Sequence, residues 1–68
     1  MEINEAIKIC LFNGIKVYPQ FDGQSFVIAI EEKTKPIKLS KKHYTSKSIN
    51  YAVAFTYIFI ARKIKAKI

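Results

Sequence analysis

The stretch Ile15-Lys16-Val17-Tyr18-Pro19-Gln20-Phe21-Asp22-Gly23-Gln24-Ser25-Phe26-Val27-Ile28-Ala29-Ile30-Glu31 decides the fold. Two runs rich in β-branched and aromatic residues flank Asp22-Gly23, a strong signal for a two-residue hairpin turn. Pairing outward from that turn sets Tyr18 opposite Val27, Val17 opposite Ile28 and Ile15 opposite Ile30. Alternation then gathers Ile15, Val17, Phe26, Ile28 and Ile30 on one face. Lys16, Tyr18, Gln20, Ser25, Val27, Ala29 and Glu31 take the other, which is left to solvent. Pro19 has no N–H to donate, so the first strand is an edge or ends its pairing there. A second turn at Lys33-Thr34 sets Ile30 opposite Ile37 and Ile28 opposite Leu39, keeping the same face apolar. Two turn signals that agree on one buried face predict a three-stranded antiparallel meander, which a helical period would not produce.

Upstream, Ile3, Ala6, Ile7, Cys10 and Leu11 recur at helical spacing and predict a helix over Asn4–Asn13. Asn4 is placed to cap it, Glu5 suits its positive end, and Asn13-Gly14 closes it. Downstream, the polar segment Ser40–Lys47 leads to a long helix that starts at Ser46 or Ser48 and runs to about Lys65. Its stripe Ile49, Val53, Ile60 and Ile64 is the one expected to cover the sheet. The architecture read from these elements is α+β in the order α-β-β-β-α, with both helices on the apolar face of the sheet.

The chain has 68 residues, enough for a single domain with a thin core. Half of its residues are apolar, a surplus that points to a partner surface or a homodimer. Twelve Lys and Arg against five Asp and Glu give a formal charge of +7, a field that attracts polyanions. One cysteine, Cys10, excludes an intrachain disulfide and the multi-cysteine zinc motifs, which fits a reducing, cytoplasmic setting. The acidic start Met1-Glu2-Ile3-Asn4-Glu5 is no secretory signal. The apolar run from Ile49 to Ala61 falls short of the roughly 20 residues of a membrane span.

Catalysis finds little support. Cys10 falls on the buried stripe of the first helix, and His43 lies in a lysine-rich loop without an evident partner. Gly14 and Gly23 are both taken by backbone turns, so no glycine-rich phosphate loop and no cofactor site is expected. The binding candidates are Lys41, Lys42, His43, Tyr44 and Lys47, which approach a helix N-terminus, where free N–H groups favour anions. The run Arg62-Lys63-Ile64-Lys65-Ala66-Lys67-Ile68 reads as charge complementing the negative end of the last helix, with an extra contact to a nucleic-acid backbone as the alternative. Tyr51, Phe55 and Phe59 lie off the sheet-facing stripe and are candidate anchors for a protein partner, and Tyr57 completes the helix's set of aromatics.

Element order, length and the stretch Thr45-Ser46-Lys47-Ser48-Ile49-Asn50-Tyr51-Ala52-Val53-Ala54 resemble the double-stranded-RNA-binding domain. In that family lysines at the start of the second helix grip phosphates across the major groove, while the first helix and the first hairpin loop touch the flanking minor grooves. Lys47 occupies such a position; Ser48 and Tyr51 stand where further basic residues would be. The family's Gly-Pro-X-His hairpin loop is replaced by Phe21-Asp22-Gly23-Gln24. Small size, high charge and surplus aromatics are also similar to phage and mobile-element accessory proteins of the anti-CRISPR type, which implies inhibition of an RNA-guided nuclease. The expected function is binding of RNA or of an RNA–protein complex, with a protein-binding inhibitor as the alternative.

Overall fold

The apolar alternation on either side of Asp22-Gly23 forms a long antiparallel pair, β1 (Ile15–Phe21) and β2 (Phe26–Glu32). The computed structural model describes residues 1–67; Ile68, the last residue of the C-terminal basic run, lies outside the described residues. A third strand, β3 (Lys38–Leu39), pairs antiparallel with the other edge of β2, so the sheet order is β1-β2-β3. Before the sheet comes α1 (Ile3–Phe12) and after it α2 (Ile49–Ala66), giving the expected α-β-β-β-α order.

The first hairpin departs from the expected register by two residues. Val17 faces Ile30 and Phe21 faces Phe26, so Asp22-Gly23-Gln24-Ser25 forms a four-residue loop. The aspartate is the reason. Its Oδ1 accepts the N–H groups of Gln24 (3.0 Å) and Ser25 (2.8 Å), while its own N–H donates to the Ser25 carbonyl (3.0 Å). That side-chain turn opens the hairpin instead of forming its tip. Gly23 supplies the positive φ of 103° that the loop needs, and the Phe21 and Phe26 rings close its base at 5.1 Å. A shift of two preserves the alternation, so Val17 and Ile28 are buried under the helices as expected.

The second connection departs by one residue, and there the faces exchange. Ala29 pairs with Leu39 and Ile30 with Lys38. Leu39 therefore lies on the face away from the helices, and both Ile37 and Leu39 are half exposed, contrary to their expected place in the core. The turn closes between Glu32 and Lys35, and Pro36 offers no N–H to β2, which leaves β3 only two residues long. On the helix-free face, Val27 and Ala29 are nonetheless buried on the central strand. Ala29 is flanked across the sheet by the larger Tyr18 and Leu39.

The core joins Ala6 and Cys10 of α1, Val17 and Ile28 of the sheet, and Ile49, Tyr57 and Ala61 of α2. Ala6, Cys10 and Ala61 are completely buried, small side chains where the two helices meet. The helices run antiparallel: the Cys10 thiol donates to the Tyr57 carbonyl (3.6 Å), and the Lys65 ammonium pairs with Glu5 (3.0 Å). Burial pushes the Cys10 thiol pKa above its ordinary value. Tyr57, grouped by sequence with the other aromatics of α2, belongs instead to the core, where its hydroxyl accepts the Val17 N–H at 2.9 Å.

The start of α1 differs from expectation. Glu2 precedes α1, and Asn4 lies inside the helix, donating to the Glu2 carboxylate instead of capping. Leu11, assigned to the buried stripe, is exposed beside Phe12. Gly14 ends the helix with φ of 73°, as the Asn13-Gly14 pair predicts. Among the described residues, no helix is long and apolar enough to cross a membrane.

Candidate nucleic-acid interface

After β3 the chain keeps following the edge of β2, and this places the basic loop. The Ser40 N–H donates to the Ile28 carbonyl (2.9 Å), and four residues later Tyr44 exchanges two backbone hydrogen bonds with Phe26 (2.9 and 2.7 Å). Ser40 and Tyr44 are four apart, whereas their partners Ile28 and Phe26 are two apart. Lys41, Lys42 and His43 therefore bulge away from the sheet edge. The Ser40 hydroxyl bridges the gap: it accepts the Ile28 N–H (2.9 Å) and donates to the Lys42 carbonyl (2.9 Å). The bulge is thus held at its two ends and braced across its neck.

His43 is clasped by the hairpin loop. Its Nδ1 lies 2.8 Å from Ser25 Oγ and 3.2 Å from Asp22 Oδ2. The partner that the local sequence did not reveal comes from twenty-one positions upstream. Hydrogen bonds from the Ser25 and Gln24 backbones, with smaller help from the Ser25 hydroxyl and His43, hold the Asp22 carboxyl below its usual pKa. Serine, histidine and aspartate meet here, but both oxygens approach the same ring nitrogen. A relay needs the base on one nitrogen and the orienting carboxylate on the other, so this arrangement does not have the geometry of a Ser-His-Asp relay. The cluster is a clasp between loop and hairpin.

Thr45 and Ser48 set the start of α2. The Thr45 N–H donates to Ser48 Oγ (3.1 Å), and the Ser48 N–H donates to Thr45 Oγ1 (3.2 Å). This is the reciprocal pattern of a capping box, with serine in the place usually held by Glu or Gln. The Ile49 N–H reaches the Thr45 carbonyl (2.9 Å), and Ser48, one of the two serines expected there, stands at the N-cap position with its hydroxyl engaged by Thr45 and by no helix N–H. Lys47 projects from that first turn and is exposed.

On the far side of the bulge, Lys42 and Tyr44 face Ala52, Phe55, Thr56, Ile58, Phe59 and Arg62 across an open groove of about 550 Å³. The Lys42 ammonium lies 5.4 Å from the centre of the Tyr44 ring, and the Lys63 ammonium lies 4.4 Å from that of Phe59. Among the described residues, no carboxylate lines this groove. Phe55 and Phe59 are 69% and 59% exposed, and Tyr51, one turn before them, is 72% exposed. Lys41, Lys42 and Lys47 make no ion pair among the described residues.

The two surfaces that the sequence offers separately, the basic loop and the aromatic helix face, are therefore partly one. Lys42, Tyr44, Phe55 and Phe59 come together; Lys41 belongs to the bulge, Lys47 follows it ahead of α2, and Tyr51 extends the aromatic row. Arg62 joins the groove, although its sequence position favours a role at the helix terminus. The spacing of Phe55, Phe59 and Arg62 brings all three to one side of α2, a signal that helical periodicity contains. Among the described residues, no group of three or more His, Cys, Asp or Glu is placed to hold a metal ion. Comparison with family models, characterised proteins and solved structures finds no match to this chain.

Proposed function

We propose that this chain is a small, non-enzymatic module that binds RNA, or an RNA–protein complex, through the braced bulge and the groove beside it. The observation that carries this reading is the groove's composition: cations and aromatic rings, without an acidic group among its lining residues. Phosphates are met by Lys41, Lys42, Lys47 and Arg62, and the three lysines, which make no ion pair among the described residues, have their charge available to a ligand. His43 supports the loop through Asp22 and Ser25. Element order and Lys47 are what support the likeness to double-stranded-RNA-binding domains.

The test is a binding titration with the triple variant Lys41→Glu, Lys42→Glu, Lys47→Glu. The wild type should bind RNA with an affinity that falls steeply with salt, as counterion release requires. The variant should lose binding while keeping the wild-type circular dichroism spectrum. Equal affinity of the two proteins for RNA would refute the reading.

A second reading rests on the exposure of Tyr51, Phe55 and Phe59. Large exposed aromatics are typical anchors of protein interfaces. On this reading the chain is a protein-binding inhibitor, for example of an RNA-guided nuclease in the anti-CRISPR manner. Its mark would be a stable complex that survives nuclease treatment, with weak binding to free RNA.

A further inference from the structure

We infer that the groove takes an unpaired strand, with bases laid against Tyr44, Phe55 and Phe59 and phosphates met by Lys42, Arg62 and Lys63. This deepens the proposed function and rests on it. A duplex presents phosphates on its outside and keeps the flat faces of its bases stacked within, so it can use lysines but not exposed rings. An unpaired strand exposes both. Proteins that bind such strands combine a cationic track with aromatic platforms, and stacking tolerates any base because every base has a π face.

The groove meets both requirements at one place. Tyr44 is fixed by its backbone pairing with Phe26, and Phe55 and Phe59 stand on the middle of the longest helix, so the rings are mounted on rigid elements. Each end of the row has a cation close by. Lys42 lies near the Tyr44 ring, Lys63 lies near the Phe59 ring, and Arg62 lines the groove between α2 and the loop. Exposure of about two-thirds for Phe55 and Phe59 has no packing purpose in a protein whose core is built from other residues of the same helix. Lys42 and Arg62 line the groove with no carboxylate of the described residues beside them, while Lys63 stands past Phe59 in the adjoining pocket that Glu32 also lines. That excess of cations favours an anionic strand over a protein surface of mixed charge.

The experiment compares a labelled twelve-nucleotide oligouridylate with an RNA duplex of equal length by fluorescence anisotropy at several salt concentrations. The single strand should bind at least about tenfold more tightly than the duplex, a margin that one stacked base supplies. Phe55→Leu and Phe59→Leu keep an apolar side chain but remove the ring. Each should weaken single-strand binding about tenfold, leave duplex binding and the salt dependence unchanged, and preserve the melting temperature. Arg62→Gln should instead flatten the plot of log affinity against log salt by about 0.7, the value for one phosphate contact on a single strand. Equal binding of the two RNAs, or full single-strand affinity in both leucine variants, overturns the unpaired-strand inference while leaving RNA binding in place. No binding to either RNA overturns both.

Discussion

The two sides of α2 carry the same kind of residue to opposite ends. Tyr57 and Phe55 are two positions apart. One is 9% exposed, packed among Ala6, Cys10, Val17 and Ile28, with its hydroxyl accepting a backbone N–H of β1. The other is 69% exposed and lines the groove. A helix of 18 residues in so small a protein has little to lie against besides the sheet, one short helix and the loop at Tyr44, and Tyr51, Phe55 and Phe59 are left exposed. Apolar character alone does not make a residue structural. On this helix the side facing the sheet holds the protein together, and the opposite side is available for a ligand.

The sharpest way to break that contrast is to truncate both aromatics. Tyr57→Ala should cost about 3–5 kcal/mol, the usual penalty for emptying a large buried site. That is comparable to the whole stability expected of a domain this size, at roughly 0.05–0.15 kcal/mol per residue, so the variant should be largely unfolded by circular dichroism. The gentler Tyr57→Phe leaves the Val17 N–H without its partner and should cost about 1–3 kcal/mol in urea unfolding. Phe55→Ala should change stability by less than about 0.5 kcal/mol, as surface substitutions generally do. If Phe55→Ala proved as damaging as Tyr57→Ala, the division of α2 into two roles would fall.

Cys10 sharpens the comparison chemically. It lies on the packed side, and burial raises its thiol pKa, so the reactive thiolate is scarce and hidden. Native protein should resist a thiol reagent such as Ellman's reagent, and urea-unfolded protein should react at the rate of a free cysteine. Fast labelling of the native chain would mean that the contact between α1 and α2 opens readily. The smallest effect concerns the clasp. The Asp22 carboxyl is held below its unfolded value, so its contribution to stability is present above about pH 4 and is lost as the pH falls through the lower folded value. Asp22→Asn should remove that acid-limb dependence, read as a smaller drop in melting temperature between pH 5 and pH 3.

Much of the fold is written in periodicity, and the two turns show how far that reaches. Both strand registers differ from a local reading of the turn residues. At the first hairpin the offset is two, so every side chain of β1 and β2 keeps its side and the core is legible. At the second it is one, so Leu39 changes sides, and Ile37 is left half exposed ahead of β3. A turn's residue types announce that the chain reverses. Whether Asp22 forms the tip or the shoulder depends on which N–H groups its carboxylate collects, and the sequence does not display that. The candidate site divides similarly. The charged run from Lys41 to Lys47 and the aromatic spacing on α2 are visible in the sequence. Their meeting is not, because Ser40, Tyr44 and the Asp22–His43 clasp set it through contacts between distant segments. Arg62 lay within reach of the helical spacing, but its place at a helix terminus offered a sufficient electrostatic reason for a cation there.

The hydrogen bond from Val17 to Tyr57 has a consequence for how the molecule behaves in a crowd. An open sheet invites a neighbour to dock along its unpaired margin, strand on strand, and such growth leads to fibrils. The outer margin of β1 has one amide covered by a phenol from α2 and, two residues on, a proline with no amide at all. A recruited strand would find neither donor at the centre of that margin. The same tyrosine that locks the helix onto the sheet therefore helps to keep copies of this chain from zipping together.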